Sequence, residues 1–294
     1  MRYLSTVHAI FQPFIADTAL RSTVVPDAIR STYSKGYLLL RIVEYTALKN
    51  RVSRRLLRGV YREHWPDLYR VLYRPDTIEY GIDPYTIYFV DPSCIERITG
   101  RKEATSARRD QFGAVRSGRW DQIPPIPSSP TQELYMRDSF SESPFCTGLK
   151  QRFVDDRAWE NTDLHRTFVN VADQSSDSDT PYEWYKRIDD LYETICTEGY
   201  RTQYEIAEGT YRTSGGFGIT DVLANEITVD IGRDGTLQFV DGKHRLAIAK
   251  ILDCRRIPVS VAVRHKKWID GVRSNSAEAD RIGATDWVSL SERL

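Results

Sequence analysis

Asp241, Gly242, Lys243, His244 and Arg245 stand in one unbroken run, and their types suit an anion better than any other ligand. A glycine ahead of a helix lets the backbone approach a ligand closely. The first turn of a helix offers unpaired N–H groups and the positive end of the dipole. Lys243, His244 and Arg245 add cationic donors at that point, and an arginine can grip a phosphate through two parallel hydrogen bonds. Cations at a helix start oppose the dipole, so a bound anion would resolve a local conflict. Asp241 is the acid of the turn, placed to hold a divalent cation or to orient His244. The alternative reading is a plain Asp-Gly turn followed by a solvated basic first turn.

A second group lies in Phe112–Asp121, FGAVRSGRWD. In a nucleotide enzyme a loop of this kind places Arg116 or Arg119 on phosphate and Asp121 near the acceptor. The competing reading is an exposed turn with Trp120 packed inward.

The elements that must position the run are legible around it. Ile227, Val229 and Ile231 alternate with Thr228 and Asp230, the period of a half-buried strand. Gly232–Gly235 is a hairpin signal, and Leu237–Val240 is the returning strand. Leu246–Ala249, Ile251 and Leu252 give the helix its apolar content. Pro258 ends the connection, and Val259, Val261 and Val263 make a last strand that ends at His265–Trp268, where Trp268 offers a ring for base stacking.

Upstream, residues 1–80 read as a helical region with more Lys and Arg than Asp and Glu. Tyr33–Leu57 has the period of a basic amphipathic helix, suited to a polyphosphate, a membrane surface or simple packing. Tyr85–Val90 reads as a strand and Cys94–Ile98 as a short helix. The charged residues 100–110 read as exposed, and Ile123–Thr131 as a proline-rich spacer. Residues 163–171 and 181–197 read as helices, with 172–180 a mobile polar loop between them. Gly209–Gly218 is glycine-rich but fits neither common phosphate-loop spacing. The tail after residue 268 is polar, with a short helix near Trp287.

The box Gly242–Ala249 followed by Ile257-Pro258-Val259 resembles the signature of the ParB/sulfiredoxin superfamily. Leu191–Gln203 is similar to the helix and the Gly-x-x-Gln step before that family's central strand. Ile87–Ile95 resembles its first strand. The resemblance covers about residues 85–268, with an insertion at about 123–180, and it implies an α+β fold: a small mixed sheet with flanking helices, here preceded by a helical basic region over 1–80 and followed by a polar tail over 269–294. It implies that Asp241, Gly242, His244 and Arg245 contact nucleotide phosphates. Lys243 stands where sulfiredoxins carry their catalytic cysteine. The Asp-Gly-x-His-Arg form is closest to the free-serine-kinase branch, in which a carboxylate after the first strand is the base; Asp121 is its positional counterpart.

Composition bounds the rest. The chain has 294 residues, 40% hydrophobic and 28% charged, with a formal net charge of zero. That is ordinary for a globular chain and disfavours a general nucleic-acid binder. The four cysteines form no CxxC, which points to buried thiols in a reducing compartment. No apolar run reaches membrane-span length, and a cytoplasmic place is expected. Two functions follow. One is an NTP-dependent phosphotransferase or NTPase on a small hydroxylated substrate, using ATP, ADP or CTP with Mg²⁺, with Lys243, His244 and Arg245 for charge and Asp121 or Glu226 as base. The other is a nucleotide-gated module binding DNA or protein, for which the neutral balance makes DNA the weaker partner.

Overall fold

The computed structural model describes residues 79–80, 82–84, 86–101, 112–127, 130–172, 181–210, 225–274 and 284–289. The chain divides into two compact units, residues 1–84 with 291–294, and residues 85–290. The expected helices of residues 1–78, the charged stretch from 102 to 110, the loop at 173–180 and most of the glycine-rich loop lie outside the described residues; Arg101, expected to be exposed with that stretch, is instead buried at 6%.

The larger unit is a mixed α+β assembly built on one sheet. Its strands are β1 (Thr86–Val90), β2 (Arg97–Ile98), β3 (Ala114–Arg116), β4 (Ile227–Ile231), β5 (Leu237–Asp241), β6 (Ile257–His265) and β7 (Ala284–Ser289). The order is β2-β5-β4-β6-β1-β7, with β3 also paired to β6. β4 and β5 form the expected antiparallel hairpin. β4 and β6 run parallel, joined through helix α6 (Lys243–Ile251) as a crossover connection requires.

One face of the sheet carries Ile227, Val229, Ile231, Phe239, Val259 and Val261 into the main apolar core. Helices α2 (Pro144–Phe153), α3 (Asp163–Ala172), α4 (Pro181–Glu198) and α6 cover it with Phe145, Leu149, Leu164, Ile188 and Leu246–Ala249. Burying one such aliphatic or aromatic side chain is worth about 1.5–3 kcal/mol. α2 and α3 touch at Gly148, where an added Cβ would lie 2.2 Å from the Leu164 Cβ.

The opposite face is polar yet also buried, which corrects the half-buried reading of β4: all five of its residues are buried. Most of the polar groups there are satisfied internally, the buried Gln238 Oε1 excepted. Thr228 and Ser260 share a hydrogen bond of 3.1 Å. Asp230 accepts from Thr99, from Arg101 through Nε at 2.6 Å and Nη2 at 2.9 Å, and from the Val263 N–H.

Other local expectations change as well. Cys94–Ile98 is not a helix: a 3-10 turn at Pro92–Cys94, capped by Asp91, runs into β2. Chain beyond β6 is not simply polar tail. Helix α7 (Lys266–Ser274) begins directly after His265 and packs Trp268 on the core. The segment around Trp287 is strand, not helix, because β1 offers it an open edge along Thr86–Val90. The expected spacer Ile123–Thr131 ends in a short helix, α1 (Pro130–Glu133), and α2 follows it unforeseen, whereas α3 falls where a helix was expected at residues 163–171. All four cysteines are free thiols, but Cys94 and Cys196 are exposed rather than buried.

Candidate functional site

β5 delivers Asp241 opposite Thr228, and the chain then turns through Gly242. Its φ of +93° lies in the left-handed region, and an added Cβ would meet the Ile227 Cα at 3.0 Å. Glycine is therefore demanded twice, by backbone angle and by contact with β4. Gly242 is also the N-cap of α6, with no side chain capping the helix start.

The three cations that follow turn into the protein. The Lys243 ammonium sits 4.7 Å from the centroid of the Tyr135 ring. His244 packs edge-on to Phe145 at 5.3 Å and to Trp184 at 5.7 Å. Its Nε2 is buried and makes no hydrogen bond. Burial, helped by Lys243, Arg187 and Arg245 nearby, pushes its pKa down to about 3. His244 is thus a neutral packing residue at physiological pH, which corrects the expectation that it is a third charge in the turn.

Arg245 points at Glu226, Nη1 to Oε2 at 3.4 Å. Glu226 is 1% exposed and stands just ahead of β4. Its other oxygen accepts the Gln203 N–H at 2.5 Å, which anchors the start of helix α5 (Gln203–Thr210). Burial raises the Glu226 pKa to about 7, and Arg245 and the Gln203 bond offset only part of that rise. Tyr200 shares this surrounding: burial raises its phenol, with Arg245 acting the other way.

Asp121 belongs elsewhere. It lies in a 3-10 turn at Trp120–Gln122 and is clamped by Arg233 of the β4–β5 turn, through Nε at 2.8 Å, Nη2 at 2.7 Å and the backbone N–H at 2.9 Å. Burial opposes its charge, but the Arg233 bonds outweigh this and, with His265, hold the carboxyl down at about 2. His265 bonds the Gly118 carbonyl through Nε2 and accepts the Lys267 N–H at Nδ1, which fixes the Nε2–H tautomer. Arg116 pairs in register with His265 at the far end of β6, and Arg119 precedes the Trp120 turn. Arg233 follows the last residue of β4 and Glu226 precedes the first, so the two carboxylates sit at opposite ends of a strand roughly 16 Å long. The structure therefore brings Glu226 and Arg245 together beside Gly242, and sets Arg116, Arg119 and Asp121 apart from them.

Among the described residues no three His, Cys, Asp or Glu side chains converge as a metal site. At the turn the protein offers Mg²⁺ the Asp241 carboxylate, so a magnesium ion there would have to arrive largely on phosphate oxygens. A cleft of about 220 Å³ opens further along α6, lined by Asp91, Glu96, Ser141, Lys150 and Lys250, with Cys146 at its wall. Glu96 and Lys250 pair across it at 2.5 Å, and burial pushes the Cys146 thiol up to about 11, so it is an inert wall rather than a nucleophile.

Sequence reasoning did not single out Arg233, Tyr200 or the Arg101–Asp230 pair, and it marked Gln203 only as the end of the Gly-x-x-Gln step. Arg233 carried a faint signal as a cation inside a hairpin turn; Tyr200 and the Arg101–Asp230 pair carried none. No helix among the described residues is long and apolar enough to cross a membrane. Comparison of the chain with protein-family models, with curated proteins and with solved structures finds no match.

Proposed function

We propose that this chain is a nucleotide-binding protein of the ParB/sulfiredoxin kind, acting as a phosphotransferase on a small hydroxylated substrate. The observation that carries the reading is the Glu226–Arg245 pair: a fully buried carboxyl that protonates near neutrality, held by an arginine beside a left-handed glycine at a helix start. A nucleotide phosphate arriving at the first turn of α6 competes with Glu226 for Arg245. Once the guanidinium moves to phosphate, Glu226 loses its counter-charge and becomes more basic. It then accepts the proton of the acceptor hydroxyl as that oxygen attacks the terminal phosphorus. The bond to the bridging oxygen breaks, the nucleotide shortened by one phosphate leaves with the electron pair, and Glu226 later returns its proton to water. A general base is most useful when its pKa lies near the working pH, which favours Glu226 over Asp121, held down at about 2.

The reading is tested on the full chain by thermal shift with ATP, ADP and CTP, each with and without Mg²⁺. Wild type should gain melting temperature with at least one of them, and Arg245→Ala should lose that gain. Glu226→Gln should keep nucleotide binding while losing transfer of label to a pool of hydroxylated metabolites. Equal nucleotide response in wild type and Arg245→Ala would overturn the phosphate seat. Phosphate release without transfer, unchanged by the pool, would replace the kinase with an NTPase or a nucleotide-gated module.

A further inference from the structure

Arg264 is 3% exposed, lies in β6, and pairs with no carboxylate among the described residues. Its Nη2 donates to the Tyr88 hydroxyl at 3.2 Å, and its Cζ sits 5.9 Å from the centre of the Tyr88 ring. Its Nη1 is buried and makes no hydrogen bond. The contrast with Arg101 is direct: that arginine, equally buried, meets Asp230 through two bonds. A guanidinium keeps its charge at every pH at which proteins fold. Leaving one buried against a neutral phenol, with a donor unspent, is among the more costly arrangements a fold can contain.

The backbone has gone out of its way to put it there. Along β4 and β6, Ile227 pairs with Val259 and Val229 with Val261, but Ile231 pairs with Arg264. One extra residue has entered β6 between these pairs. Without that bulge Val263 would face Ile231, and Arg264 would point to the polar face with Asp230. The bulge reverses the alternation and turns Arg264 to the side of Ile231 and Tyr88, while the released Val263 N–H goes to Asp230. Bulges commonly re-aim a side chain for use.

We propose that Arg264 and the Tyr88 hydroxyl form a binding site for a small oxyanion, a carboxylate or a phosphate, at the end of β4 remote from the Gly242 turn. The Tyr88 oxygen accepts from Arg264, so its own hydrogen remains to be donated. Nη1 supplies the second donor, and the two together suit the paired oxygens of one anion. Tyr88 is only partly buried, and we place the entry for the anion on its side. This site is separate from the turn proposed for nucleotide: Arg264 registers with Ile231, about 13 Å along β4 from Ile227.

The test is the melting temperature of the full chain at neutral pH, titrated separately with sodium acetate and sodium phosphate, with sodium chloride holding ionic strength constant. Wild type should rise saturably with at least one anion; which one distinguishes a carboxylate ligand from a phosphate. Arg264→Met should not respond, and in chloride alone it should melt at or above wild type, because it removes an uncompensated buried charge. Tyr88→Phe should raise the half-saturating concentration about tenfold, the loss of one charge-assisted bond. Three results overturn the proposal: Arg264→Met melting below wild type in chloride, identical anion responses in wild type and Arg264→Met, or no response of wild type to either anion. Should the methionine variant not fold, Tyr88→Phe still decides, since an undiminished response there also overturns it.

Discussion

Replacing Glu226 with glutamine should make the protein more stable at high pH and leave it nearly unchanged at low pH. The folded carboxyl protonates near pH 7, against an ordinary value of 4.5. Below pH 4.5 the group is neutral in both folded and unfolded chains and contributes nothing to the difference. As pH rises from 4.5 toward 7 the unfolded chain gives up its proton first, so folding must hold one, and stability falls. Above 7 the full cost is in place. At about 1.4 kcal/mol per pH unit this comes to about 3 kcal/mol. Glutamine cannot ionise; its one amide oxygen still accepts the Gln203 N–H, while its NH2 then faces Arg245 and that bond is given up. His244 acts with opposite sign over an overlapping range: its depressed pKa makes stability fall as pH drops from 6.5 toward 3. A single wild-type curve will therefore look flat between about pH 4.5 and 6.5, and only the difference between wild type and Glu226→Gln isolates the carboxyl. The assay is urea unfolding, followed by tryptophan fluorescence, of both proteins at half-unit steps from pH 5 to 8.5. The difference should open by about 3 kcal/mol in favour of the variant, which corresponds to roughly 6–12 °C in melting temperature. A difference that stays flat, or that opens in favour of wild type, would refute the reasoning, because Arg245 would then be holding Glu226 as a stable carboxylate.

Other perturbations have equally definite outcomes. Gly242→Ala should lower stability by about 2–3 kcal/mol, from left-handed strain and the clash with Ile227, read as a shift in the urea midpoint. His244→Leu should remove one of the two opposed contributions, so that between pH 6.5 and 4.5, where wild type stays flat, the variant gains stability as pH falls. Asp121→Asn should lower stability at neutral pH by removing the paired bonds from Arg233, read as a lower urea midpoint. That cost should shrink as pH falls below 3.8 toward 2, where wild-type Asp121 is itself protonated. The same variant should leave any nucleotide response intact, since Asp121 lies at the other end of β4 from Gly242.

The parts of the molecule that read correctly from residues were those ruled by neighbours in sequence. The hairpin at Gly232–Gly235 and the break at Gly242 follow from turn chemistry and from the alternation of Ile227, Val229 and Ile231. The failures share a different cause. Asp121 looked like a free acid because Arg233, which neutralises it, is distant along the chain. Lys243 and His244 looked like solvated cations because the rings that cover them are distant in the chain, Tyr135 and Phe145 in the insertion and Trp184 in α4. β7 carried too little pattern of its own; its partner β1 makes it a strand. The orientation of Arg264 depends on an extra residue in β6, which no periodicity reveals, since a one-residue slip reverses every side chain beyond it.

The placement of β1 also bears on how the polypeptide is made. Both of its neighbours, β6 and β7, lie beyond residue 256, so during synthesis this first strand leaves the ribosome with nothing to bond. Its backbone donors and acceptors stay open until residues 257–289 have been made, which makes assembly slow and leaves nascent chains exposed to mispairing with one another.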